Sequence, residues 1–208
     1  MKLQNDFKSL EGGELCALVL TGGKSSRMGY DKAMIDYHGL PQAEYLLEIL
    51  KALGLKSYLS CRQEQLVADG FHNFLSIPDR FLGFGPLGGI LSAMVEFPGT
   101  SWLVIACDLP FISKEKIVDL ISKRNLKKQA TAYFNLERKN FEPLFAIYES
   151  HIYSHLLYFL GQGVYCPQKI LFNSKVEELE LMSQSFLENA NTPIEENKIR
   201  EILNGVLR

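Results

Sequence analysis

The sequence predicts an α/β protein of three layers, a mainly parallel sheet with helices on both faces. Three observations carry that expectation. Short apolar runs bounded by glycine or polar turns alternate with longer stretches of helical spacing. The two strongest runs, residues 14–20 and 102–107, are each followed by a polar loop. No internal repeat, low-complexity tract or long linker interrupts the alternation.

The elements follow in order. Residues 14–20 read as a buried strand between Gly12-Gly13 and Gly22-Gly23. Residues 34–37 suggest a short extended piece before the His38-Gly39 turn. Pro41 suits the first position of a helix running to about Leu53, with Tyr45, Leu46, Ile49, Leu50 and Leu53 on one face and Gly54 at its C-terminal end. Residues 58–61 and 74–77 read as strands. A helix opens near Gly85-Pro86-Leu87-Gly88-Gly89 and reaches about Phe97. The apolar run 102–107 ends at Asp108-Leu109-Pro110, a helix covers 114–122, and strand-like segments lie near 131–134 and 144–148. Residues 152–160 have helical spacing, and Thr192-Pro193 opens a last helix to Leu207. Residues 1–11 read as a loose leader to one domain spanning 1–208, and 173–188 are polar and ambiguous.

Composition narrows the function. The 208 residues are 47% hydrophobic, enough for one full-sized core. With 22 basic and 24 acidic residues the formal net charge is −2, which leaves no footprint for nucleic acid or an acidic membrane surface. No apolar run approaches the ~18 residues of a spanning helix. The start, Met1 to Phe7, is too polar for a signal peptide, so a cytoplasmic protein is expected. Cys16, Cys61, Cys107 and Cys166 are widely spaced and suggest neither a disulfide framework nor a zinc site. His151 and His155 stand four apart, but lack the glutamate of a zinc-protease helix and read as ordinary helix residues.

The chemistry concentrates in LTGGKSSRMGYDKA, residues 20–33. It is not a Walker loop: Gly23-Lys24-Ser25 is present, but the required earlier glycine is Leu18. Nor does it contain GxGxxG. What it shares with both is a glycine-rich turn after a strand, where backbone N–H groups can approach an anion closely. Arg27 adds a planar fork for phosphate oxygens and Lys32 a compact charge. Ligands of such sheets bind beyond the carboxyl ends of the strands, so this loop and Asp108-Leu109-Pro110 should face one crevice.

This string resembles the signature loop of the Rossmann-like nucleotidyltransferases, Leu-x-Gly-Gly-x-Ser-x-Arg-Met-Gly-x-Asp-Lys. With Gly-Gly in place of Ala-Gly it is most similar to the molybdenum cofactor guanylyltransferases, the MobA family. Three further stretches resemble that family in order: Asp79 before Gly85-Pro86-Leu87-Gly88-Gly89, Cys107-Asp108-Leu109-Pro110-Phe111, and Asn189-Ala190-Asn191-Thr192-Pro193. The resemblance implies a transfer of GMP from GTP to the terminal phosphate of molybdopterin, with pyrophosphate released. It implies that the backbone of Leu20, Thr21, Gly22 and Gly23 lines the guanine and ribose, and that Arg27 and Lys32 hold the triphosphate. Asp79 would contact the nucleoside, Gly85 and Gly88 would let the chain pass close to it, and Asp108 would bind Mg²⁺ and touch the nucleotide. Asn189 and Asn191 would stand near the metal or the second substrate. Proteins that deliver molybdopterin or accept the finished cofactor are implied partners.

The nucleophile in that reaction is a phosphate oxygen already ionised at neutral pH. No general base is needed, and the sequence shows no Ser-His-Asp or His-Glu constellation. The task is electrostatic: two anions must meet and charge must be stabilised on the leaving pyrophosphate. Each residue also has a plainer reading. Asp108 could cap the helix at Lys114 or start a turn, Lys32 could be solvated, and Asp79 could be a turn residue. The Gly85–Gly89 segment could serve packing alone, and Asn191 could support the cap of the last helix. Two departures stand out. Ser60 or Cys61 stands where the family often carries Asn, which bears on base selectivity. Glu142 stands where Gln or His is expected near the second-substrate pocket, with Arg138 or Lys139 as candidate partners. The alternatives are a cytidylyl- or sugar-phosphate nucleotidyltransferase of the same fold, and a nucleotide-binding module without turnover.

Overall fold

The computed structural model describes residues 13–21, 32–63, 73–181, 187, 193–203 and 205. Seven strands form one sheet in the order β3-β2-β1-β4-β6-β5-β7. The strands are β1 (Leu15–Leu20), β2 (Ser57–Cys61), β3 (Ser76–Pro78), β4 (Ser101–Ala106), β5 (Ala130–Asn135), β6 (Asn140–Tyr148) and β7 (Val176–Glu180). All pairings are parallel except those of β6, which runs antiparallel to both β4 and β5. The expected mainly parallel α/β sheet is what the chain forms.

Six helices accompany the strands among the described residues: α1 (Gln42–Ala52), α2 (Pro86–Glu96), α3 (Lys114–Ser122), α4 (Tyr153–Gly161), α5 (Pro167–Phe172) and α6 (Pro193–Leu203). Side-chain alternation along the central strands divides the core into two. Ala17 and Val19 of β1, with Leu103 and Ile105 of β4, pack with α1 and α3 through Leu46, Leu50, Ile117 and Leu120. Cys16, Leu18 and Leu20, with Trp102 and Val104, face α2, α4 and α5 through Leu87, Ile90, Leu156 and Ile170. Both faces of β1 and β4 are therefore dry. That is why these strands read as continuous apolar runs rather than alternating ones.

Several local expectations change. Pro41 is the residue before α1, at ψ 137°, and not its first helical residue. Gly54 does follow the helix, at φ +74°. Lys32–Met34 forms a 3₁₀ turn instead of an extended piece, and only Asp36 makes an isolated bridge, to Pro41. The ambiguous stretch contains β7, parallel to β5 at the sheet edge. Its strand period was hidden because an edge strand buries only Val176 and Leu179. Helix α5, six residues long, is too short to leave a periodic signature. The last helix ends at Leu203 among the described residues.

Candidate active site

The carboxyl ends of β1, β2, β3 and β4 lie side by side, and their first residues beyond the ladder form a linked row. Thr21, following β1, is buried at 3% exposure. Its backbone N–H and its Oγ1 hydroxyl both donate to the Ser60 carbonyl, at 3.1 and 2.8 Å. Ser60 Oγ donates to Asp79 Oδ1 at 2.7 Å, and the Asp79 N–H donates to the Cys61 carbonyl at 2.9 Å. Burial pushes the Asp79 carboxyl above its ordinary range, against the opposing pull of Ser60 and Arg62. Asp79 is thus a held carboxylate at a strand end, tied through Ser60 to the residue that opens the glycine-rich loop.

Helix α2 closes over this row at short range. Gly85 sits at φ +56° and ψ −139°, a conformation open essentially to glycine. A Cβ at Gly88 would overlap the Phe81 carbonyl, and one at Gly89 would overlap Ser60 Oγ and reach Leu20 Cδ2 at 2.9 Å. The packing reading of this segment therefore holds for Gly88 and Gly89, and it leaves a nucleotide-facing role for Gly85 and Gly88 compatible with it.

Asp108 follows β4 on a turn closed by Leu109 N–H donating to the Ala106 carbonyl at 3.3 Å. It does not cap α3, whose N-cap is Ser113. That removes the capping alternative. Glu142 lies nearby, in an irregular stretch where the β5–β6 register slips between Ala132 and Phe134. Such bulges re-aim side chains. Here Glu142 Oε1 accepts from Leu144 N–H at 3.0 Å, and Tyr148 Oη donates to the Pro143 carbonyl at 2.9 Å. Burial pushes the Glu142 carboxyl up to about 7; Leu144 N–H pulls against this, Asp108 adds to it, and Arg138 opposes it. Arg138 thus acts on Glu142 through space, while its own N–H is bound by Asn135 Oδ1 at 2.9 Å. Lys139 takes the left-handed corner of the β5–β6 turn, at φ +50°.

The donor chemistry at Asp108 fits Mg²⁺, a hard cation that takes one or two carboxylates plus phosphate oxygens. What bears on the fit is that Asp108 helps to raise the Glu142 carboxyl, so a cation beside the two would offset that repulsion. No group of three or more His, Cys, Asp or Glu suited to a metal occurs among the described residues. Gly22, Gly23, Arg27, Asn189 and Asn191 lie outside the described residues, as does the Lys32 side chain; the Lys32 backbone opens the 3₁₀ turn. Sequence reasoning missed the Ser60–Asp79 bond and the close approach of Gly89. Neither leaves a sequence signal, because the first depends on the pairing of β2 with β3 and the second on the spacing of α2 from β2.

Comparison with known proteins shows the class of protein to be a nucleotidyltransferase. The chain belongs to the family of the MobA-like NTP transferase domain, which it matches over residues 17–176. It is 33% identical over 184 residues to a probable molybdenum cofactor guanylyltransferase of Nostoc sp., covering 86% of this chain and 87% of that one. It is 35% identical over 179 residues to a molybdenum cofactor biosynthesis bifunctional protein of Synechocystis sp.. The match covers 86% of this chain and 52% of the relative, so the chain spans about half of that longer protein's length. Molybdopterin-guanine dinucleotide biosynthesis protein A of Archaeoglobus fulgidus shares the fold, with a TM-score of 0.74 at 24% identity over 91% of this chain and 98% of that one. A CMP:2-keto-3-deoxy-manno-octonic acid synthetase shares it too, with a TM-score of 0.70 at 12% identity over 93% and 100%. No described helix is long and apolar enough to cross a membrane.

Proposed function

We propose that this nucleotidyltransferase moves GMP from GTP to the terminal phosphate of molybdopterin and releases pyrophosphate. Membership of the MobA-like family supports the reaction class, and the guanylyltransferase relatives support the two substrates. The observation that carries the reading is the linked row Thr21–Ser60–Asp79 beside the Asp108 turn. In this reading Asp79, at the end of β3, makes the nucleoside contact, and Asp108, at the end of β4 beyond β2 and β1, is the phosphate-side carboxylate.

In this reading a molybdopterin phosphate oxygen attacks the α-phosphorus of GTP. The new P–O bond forms as the bond to the pyrophosphate oxygen breaks, and no proton need move. Asp79, fixed by Ser60, orients the nucleoside. The backbone from Leu20 to Gly23 bounds base and ribose, with Gly85 and Gly88 admitting close approach. Arg27 and Lys32 would hold triphosphate oxygens, and Asp108 would hold the Mg²⁺. That ion would supply charge neutralisation for the two anions. Asn189 and Asn191 would stand near the metal or the second substrate. The reading takes the full chain as one domain, working in the cytoplasm.

The test is pyrophosphate release by the purified chain with molybdopterin and each of GTP, CTP, ATP and UTP. Release with GTP that requires both molybdopterin and Mg²⁺ supports the proposal. Preference for CTP moves the function to cytidylyl transfer, and nucleotide binding without release under any combination overturns the enzymatic reading of the site.

A further inference from the structure

We propose that His38, assisted by Gln42, is a positioning residue for the Asp108 carboxylate. The inference rests on Asp108 being the metal-side ligand proposed above. Beyond β4 the sheet ladder ends, its last link being the Cys107 N–H to the Leu20 carbonyl at 3.2 Å. In the turn that follows, the Leu109 carbonyl accepts from Ile112 N–H at 3.3 Å. Two side chains from another segment also reach carbonyls of this turn. His38 Nε2 lies 2.8 Å from the Pro110 carbonyl, and Gln42 Nε2 donates over a long 3.4 Å to the Leu109 carbonyl. A carbonyl only accepts, so His38 Nε2–H is the donor in this contact.

The donors are themselves held. The His38 ring stacks on Tyr45 with centroids 3.8 Å apart and planes 15° from parallel. Gln42 is fully buried, and its backbone N–H donates to the Ile35 carbonyl at 2.8 Å. Gly39 N–H binds Asp36 Oδ1 at 2.6 Å, and Asp36 bridges Pro41. Ile35 and Tyr37 pack with Ile199 of α6 and with Phe111, at the far end of the Asp108 turn. The segment that directly follows the Lys32 turn is therefore clamped to the segment that carries Asp108. The backbone that opens at Lys32 and the turn that carries Asp108 are thereby tied together, as a site working by electrostatic positioning requires.

His38 is only half-buried, so water can replace it at the Pro110 carbonyl. Its removal should release the turn without unfolding the protein, which separates positioning from plain stability. The experiment measures the affinity of the full chain for GTP in EDTA and again in saturating Mn²⁺, for the parent and for His38→Ala, His38→Gln, Gln42→Leu and Asp108→Asn. The ratio of the two affinities reports contact with the metal. We expect His38→Ala to lower that ratio roughly tenfold, as partners of metal ligands typically do, with affinity in EDTA unchanged and Tm within about 2 °C of the parent. His38→Gln, whose amide can donate to the same carbonyl, should recover most of the loss, and Gln42→Leu should show a smaller loss. An unchanged ratio in His38→Ala, or a loss that His38→Gln does not rescue, overturns the inference. If Asp108→Asn lowers the ratio and the His38 series does not, only the clamp falls. If Asp108→Asn leaves the ratio unchanged, the metal reading of Asp108 and the clamp fall together.

Discussion

At the scale of single residues, the site is set by contacts with little slack. Gly89 touches Ser60 where a side chain would have to sit, and Ser60 holds Asp79. Gly89→Ala must push the Ser60 hydroxyl off Asp79 or lift α2 from the sheet. A destabilisation of about 1–3 kcal/mol is expected in denaturant unfolding, the usual cost of overpacking. Because the clash is with the hydroxyl, the double variant with Ser60→Ala should lose less than the sum of the two single losses. Strict additivity would mean that Leu20, not Ser60, takes the collision. Asp108→Asn keeps size and hydrogen-bonding capacity but removes the charge. It should abolish most Mg²⁺-dependent pyrophosphate release, and full activity would remove Asp108 from the metal role.

At the scale of elements, β6 decides two properties at its opposite ends. At its N-terminal end the irregular stretch buries Glu142 near Asp108 and holds its carboxyl up to about 7, against an ordinary value of 4.5. Without metal, the folded state then keeps a proton that the unfolded chain has released between those values. The resulting stabilisation is fully present below about pH 4.5 and is lost as pH rises through about 7. In EDTA, the Tm of the parent should therefore decline between pH 5 and pH 8 relative to that of Glu142→Gln, which has nothing to ionise there. Parallel profiles would contradict the buried carboxyl. Just past the other end of β6, Glu149 receives Arg124 through Nε and a terminal nitrogen, both at 2.7 Å, and Ser101 Oγ at 2.8 Å. Both charged side chains are at most 4% exposed. Arg124→Met leaves a buried carboxylate without its counter-charge and should cost about 3–5 kcal/mol in unfolding experiments. The pair lies at the opposite end of β4 from Asp108, beside Ser101, so nucleotide affinity of the folded variant should be unchanged.

At the scale of the whole molecule, the two dry faces of one sheet position the strand-end row before any ligand arrives, and ligand binding should stabilise the fold as a unit. GTP with Mg²⁺ at about 100 times its dissociation constant adds roughly 2.7 kcal/mol, a rise in Tm of about 5–10 °C for a chain of this size. The largest shift is expected with GTP, and thermal unfolding across the four nucleoside triphosphates checks it. The sequence by itself determined the alternation of strands and helices, because β1 and β4 are buried on both faces and so carry uninterrupted apolar runs. It also pointed to the loops proposed to hold the chemistry, because glycines, cations and Asp108 follow those two strands in the chain. Folding alone decided the rest. Ser60 meets Asp79 because β2 and β3 pair in parallel; Glu142 turns toward Asp108 because the β5–β6 register slips; His38 reaches Pro110 across 72 positions of chain. Each of these is a contact between residues distant in sequence, and its existence depends on strand order and register, quantities that no local pattern of side chains encodes.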